Sequence, residues 1–266
     1  MSIQFKGLHL QKDKYTDGSK AAVYVVDEDG RKNGPYKQYL PQGTLFIKTT
    51  YKNDELNGLY EQYFANNQLN IRCTYKNGQK NGLYEEYLHK GTLFIKAVYK
   101  NDKLNGPYKE FFSDGRVSEK CTYKDGERNG LFESFYPNGR RASRRLYKEG
   151  LEEGVSNTYH PNGKLSKKCT YKNGRKDGLY VSYYATGQLK ERIFYEDGIP
   201  NGPYEKYYDN GHVREKGTYV AGQRKAYGVY TPDGHLRYGC EGGPSLTEEQ
   251  KRVLVALNKT KENERQ

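Results

Sequence analysis

A unit of 24 residues is written eight times between Gly34 and Lys225 without one insertion or deletion. Its opening glycine recurs at Gly34, Gly58, Gly82, Gly106, Gly130, Gly154, Gly178 and Gly202. A tyrosine follows 17 places later in every copy, at Tyr51, Tyr75, Tyr99, Tyr123, Tyr147, Tyr171, Tyr195 and Tyr219. A fixed period of this length means an array in which each copy packs on its neighbours, and arrays are built to present surfaces. Positions within the unit are called columns below, with the opening glycine as column 0.

The apolar fraction, 34%, is low for a compact globule of 266 residues. A sheet one layer deep needs less, because each residue buries area mainly against its strand neighbours. Disordered chains lack aromatics, whereas 28 Tyr and 9 Phe occur here, most of them at fixed spacing.

One copy, Gly82 to Asn105, shows how the unit folds. Gly82-Leu83-Tyr84-Glu85-Glu86-Tyr87-Leu88 is aromatic-rich and reads as a strand. His89-Lys90-Gly91 turns the chain, and Thr92 to Tyr99 is a second strand. The next turn reads Asn77-Gly78, Asp125-Gly126, Asn173-Gly174 and Asp197-Gly198 in other copies. These pairs are strong hairpin signals because both positions tolerate φ > 0. The first turn carries similar pairs at Asn138-Gly139, Asn162-Gly163 and Asn210-Gly211. Neither connection is long enough for a parallel crossover of about a dozen residues. The expected fold is therefore all-β: an elongated single-layer antiparallel meander of tandem hairpins, with roughly 16 strands. A four-bladed propeller of 48-residue units is the rival, since Cys-Thr-Tyr-Lys and Gly-Thr-Leu-Phe-Ile-Lys recur at twice the period.

Gly-Leu-Tyr-x-x-Tyr, Asn-Gly-x-Leu and Tyr-Lys-Asn-Gly-x-x-Asn-Gly together resemble the variant MORN repeat, which is found in YwqK-family antitoxins and related bacterial proteins. The resemblance covers residues 34–225 and implies a binding role. Two departures stand out: there is no Trp, and Ser156 replaces the column-2 aromatic in the sixth copy.

The ends differ from the array. Residues 1–33 read as an N-terminal cap with a strand at Ala21–Val26 and a turn at Asp29-Gly30. Residues 226–243 read as a degenerate terminal repeat whose register slips by two at Gly228. In 244–266, Ser245-Leu246-Thr247-Glu248 forms a capping box ahead of Val253, Leu254 and Leu257 at helical spacing. A short C-terminal helix from Leu246 to Lys259 is expected there. With no apolar h-region at the N-terminus and no run approaching ~18 apolar residues, the expected location is the cytoplasm.

Chemistry is sparse. His9, His89, His160, His212 and His235 have no catalytic partner at a recognisable spacing, and no glycine-rich loop precedes a helix. The chain is expected not to be an enzyme and to need no cofactor or metal. Cys73, Cys121 and Cys169 share one column two repeats apart. That is on the order of 19 Å at ~4.8 Å per strand, too far for a disulfide, so they should be free thiols.

The net charge of +12 favours acidic partners. Column 14 is basic in every copy: Lys48, Arg72, Lys96, Lys120, Arg144, Lys168, Arg192 and Lys216. This ladder could hold an acidic protein or anionic lipid, or its cations could pair with acids such as Glu61, Glu85, Glu86 and Glu110 on neighbouring strands. Nucleic acid is disfavoured, since the tyrosines are needed to hold the sheet. The repeat breaks at Arg140, Arg141, Arg144 and Arg145, and again at Glu152, Glu153, Ser156 and Asn157. Arg141 and Arg145 replace apolar residues, and alternation puts both on the otherwise apolar face. This patch is the expected partner-binding site. The functional expectation is an antitoxin or immunity protein that binds a cognate toxin, with a scaffold on anionic lipid as the alternative.

Overall fold

A computed structural model describes residues 7–240. They hold 24 strands, with no helix among the described residues. The chain divides into two compact units, residues 1–139 and 140–266.

In the first unit the long strands pair antiparallel in chain order, from His9–Lys14 to Gly130–Phe135, and the two-residue strands Glu55–Leu56 and Glu127–Arg128 pair with the strand before each. The second unit is likewise a meander, from Arg141–Lys148 to Leu236–Cys240. Inside each unit the ladder continues from copy to copy, so no blade boundary falls there. The expected hairpin meander is present, but the fold class needs one correction. The described residues are all-β, without the helical element; the segment assigned to it, Leu246 to Lys259, lies outside them. The hairpins also extend past the array at both ends. His9–Lys14 and Lys20–Val26 precede it, and Gln223–Tyr230 pairs with Leu236–Cys240 after it.

The two turns of a repeat are not alike. Asn77 and Gly78 have φ of 50° and 75°, as do their counterparts Asn173 and Gly174 at 50° and 76°. Two successive left-handed residues are what the primed hairpin turn demands. In the first turn a single residue is left-handed, as at Gly139 with φ 81° and, where the glycine is replaced, Asn67 with φ 64°. The primed turns also bind the preceding copy. Gly78 N–H donates to Leu56 C=O at 2.9 Å, Gly126 to Leu104 at 2.8 Å, and Gly174 to Glu152 at 2.9 Å. Each copy therefore satisfies backbone groups of the one before, so an insertion in one copy would break a bond in the next.

Two sheet faces follow from the register. Tyr60 sits opposite Cys73, and Cys73 opposite Tyr84. Column-2 tyrosines, the buried cysteines and column-17 tyrosines thus share a face. Their rings meet edge-on: Tyr60–Tyr75 at 5.6 Å, Tyr84–Tyr99 at 5.4 Å and Tyr108–Tyr123 at 5.6 Å. Such pairs contribute about 0.5–1.5 kcal/mol each beyond their burial. Lysines cap them, Lys80 Nζ lying 5.1 Å from the Tyr84 ring and 5.3 Å from Tyr99. Cys73, Cys121 and Cys169 are buried free thiols. Burial pushes the Cys169 thiol up to about 11, so it stays protonated and unreactive.

The opposite face carries columns 3 and 14. Glu61 lies opposite both Lys48 and Arg72. Column 11 belongs here as well, contrary to simple alternation. A bulge pairs Tyr63 with Leu69 and Tyr159 with Leu165, and an extra residue reverses which face the following side chains take.

Candidate functional site

Column 14 is mostly an ion-pair ladder. The buried carboxylate of Glu61 accepts from Lys48 Nζ at 3.2 Å, Arg72 Nη2 at 3.0 Å and the Tyr63 hydroxyl at 3.0 Å. Lys96 pairs with Glu85 at 3.0 Å and Lys120 with Glu133 at 2.8 Å. Arg192 pairs closely with Glu205. Lys216 lies 5.4 Å from the Tyr230 ring centre. The ladder is thus largely neutralised by column 3, with Glu133 and Glu205 as partners in place of Glu86 and Glu110. Both of those lie in column 4 on the other face, where they accept from the Tyr84 and Tyr108 hydroxyls.

Burial pushes the Glu61 carboxyl up, but the hydrogen bonds from Arg72, Lys48 and Tyr63 outweigh it and hold it below the ordinary glutamate range. A carboxyl depressed on folding stabilises the fold above its unfolded value, and that contribution is lost as pH falls through the folded value. Glu61→Gln should therefore cost about 1–2 kcal/mol at neutral pH, discounted because both cations keep solvent contact. Urea midpoints of variant and wild type should converge as pH drops below the ordinary glutamate range; a gap independent of pH would refute the assignment.

In the second unit the acid column is interrupted in the sixth and seventh copies. Column 3 reads Asn157 and Val181 there, and Lys37 and Lys109 in the first and fourth copies, where the remaining copies carry Glu61, Glu85, Glu133 and Glu205. Arg144 faces Asn157, Asn157 faces Lys168, and Lys168 faces Val181. Arg144 and Lys168 are exposed and make no ion pair among the described residues. The Asn157 Oδ1 between them is buried without a hydrogen-bond partner. Leu146 and Val155 on this face are 45% and 49% exposed. The result is a pair of cations beside exposed apolar side chains.

The expected patch is split by the sheet. Arg145, Glu152 and Ser156 do come together, on the tyrosine face. Arg145 Nη1 meets Glu152 Oε1 at 3.1 Å, and the Tyr147 hydroxyl donates to the same oxygen at 3.3 Å. Burial opposes the Arg145 charge, but Tyr147 and Glu152 more than restore it. Arg144 and Asn157 lie on the other face. Glu153 is a turn residue: its Oε2 accepts from the Asn173 backbone N–H at 2.9 Å. Arg140 lies beside the turn at Gly163. Arg141 is exposed at the start of its strand. Alternation alone could not separate these residues, because the bulge that moves column 11 is set by pairing.

Two groups of residues were missed. Val181 matters because it lacks a charge, and reading column 3 beside column 14 would have found it. Thr158, Lys167 and Lys176 join Arg145, Glu152 and Ser156 around a pocket of about 220 Å³. Ser156 was the visible signal, since an aromatic fills that column in every other copy.

A family model described as the MORN repeat variant matches residues 32–53, 56–77, 104–125, 128–149, 152–173, 176–197 and 200–221. No curated protein matches the chain. Among solved structures, a mutant TarM of S. aureus in complex with fondaparinux, alpha-GlcNAc-glycerol and UDP is 15% identical over 36% of this chain, with a TM-score of 0.25. The Tc holotoxin pore of Photorhabdus luminescens is 13% identical over 88%, with a TM-score of 0.22. The chain spans 19% and 15% of those two chains.

Proposed function

The chain belongs to the MORN repeat variant family, and we propose that it is a binding protein that docks an acidic partner protein on the Arg144 face of its second unit. One observation carries this reading: the basic ladder, ion-paired in most other copies, makes no ion pair among the described residues at Arg144 or Lys168, where Asn157 stands between the two cations and Val181 beyond Lys168. Cations that already have carboxylates gain little from a partner, whereas unpaired ones beside exposed Leu146 and Val155 gain both charge and burial. The specific role we infer is neutralisation of a bacterial toxin by direct contact. Its support is the resemblance of the repeat to that of the YwqK-family antitoxins.

Arg144→Glu with Lys168→Glu tests the face. Both side chains are exposed, so the fold should tolerate the change. Partner affinity, measured on the protein captured from the native host, should fall at least tenfold, a loss of about 1.4 kcal/mol or more. Unchanged affinity would remove this face from the proposal. Salt-sensitive binding to anionic vesicles with no protein partner would replace the protein reading by the lipid one.

A further inference from the structure

The tyrosine face of the second unit has one vacancy. Column 2 supplies a ring in every copy but the sixth, where Ser156 stands opposite Cys169. Elsewhere that ring packs edge-on against the column-17 tyrosine, as in Tyr180–Tyr195 at 6.1 Å. At Tyr171 the corresponding space is the pocket of about 220 Å³ bordered by Ser156, Tyr171 and Tyr180. A tyrosine-sized ring is what the surrounding repeat geometry is shaped to hold.

The chemistry at the far end of the vacancy is inverted. In other copies the column-2 hydroxyl donates to an acceptor: Tyr60 to Gln62 at 3.1 Å, Tyr84 to Glu86 at 2.8 Å, Tyr204 to Glu215 at 2.7 Å. In the sixth copy the equivalent columns hold Thr158 and Lys167, which sit opposite each other. An ammonium and a hydroxyl replace two carboxylates and an amide carbonyl, so this end suits an anion rather than a phenol. Arg145, Lys167 and Lys176 outnumber the single Glu152 around the pocket. Lys176 lies 4.4 Å from the Tyr180 ring and 4.7 Å from Tyr195, held at the wall by both.

We propose that this pocket binds an aryl anion, the ring filling the column-2 vacancy against Tyr171 and the negative group lying at Lys167 and Thr158. The ligand class is an aromatic carboxylate or aryl phosphate, free or carried on a peptide as phosphotyrosine. The site is independent of the partner contact, which uses the other face.

Fluorine NMR of 4-fluorobenzoate with the full chain tests it, with 4-fluorobenzamide as the uncharged control. Saturable binding of the benzoate is expected, at least tenfold tighter than the amide. Ser156→Tyr restores the repeat's own ring, should melt no lower than wild type, and should abolish binding. Ser156→Ala keeps the space and should bind within threefold of wild type. Lys167→Glu, at an exposed position, should weaken the benzoate at least tenfold. Competition by phenyl phosphate and by N-acetyl phosphotyrosine amide assigns the source: the tighter competitor marks a free aryl anion or a peptide. Equal binding of benzoate and benzamide, full binding by Ser156→Tyr or Lys167→Glu, or no binding to wild type at about 10 mM overturns the proposal.

Discussion

Tyr204→Ala should cost about 3–5 kcal/mol, the range for removing a large buried aromatic. Tyr204 has no solvent exposure and belongs to a cluster with Cys169, Tyr180 and Ile193. Its ring lies 4.5 Å from that of Tyr219. Its hydroxyl donates to Glu215 Oε1 at 2.7 Å, and Glu215 also takes Lys206 at 3.1 Å and Arg224 at 2.7 Å. Truncation therefore opens a cavity and removes one donor from a crowded carboxylate. Tyr204→Phe separates the two effects: it keeps the ring and should cost about 1 kcal/mol, because Glu215 retains both cations. Urea melts of the two variants check this. A Tyr204→Ala cost below that of Tyr204→Phe would show that ring packing does not hold this end of the sheet.

Gly106→Val should cost about 2–5 kcal/mol, the sum of backbone strain and overpacking. Gly106 has φ of 127°, a conformation that side-chain-bearing residues hardly enter. A Cβ there would also approach the Val98 Cβ to 3.1 Å. The conformation is required by a register change, since the ladder pairs Leu104 with Tyr99 but Tyr108 with Ala97. Gly139→Ala is the control. It too has positive φ, but nothing lies within 4 Å of a Cβ at that turn, so only about 1 kcal/mol of left-handed cost is expected. Equal losses at the two sites would refute the crowding.

The opening glycine was legible as the recurring first residue of a strand, but its task was not. It sits inside the strand path, where it absorbs a shift in pairing, as Gly106 shows. The tyrosine column was read correctly as structural, since a ring every 24 residues in a sheet must stack on its neighbours. The basic ladder was legible as a column, and its neutralisation followed from the acids of column 3. The Arg/Glu break was visible as a departure from the repeat, yet its members do not form one site. Arg145, Glu152 and Ser156 share the tyrosine face, Arg144 and Asn157 the other, and Glu153 closes a turn.

By itself the sequence determined the repeat length, the antiparallel hairpins and the rows of side chains. Those follow from turn chemistry and period-2 alternation, both local. The tertiary structure decided which face each row takes after a bulge, and which cations find carboxylates. It also decided where a missing ring leaves a space. Each depends on pairing between strands from different copies, and a one-residue shift in that pairing reverses the faces without altering the pattern along the chain.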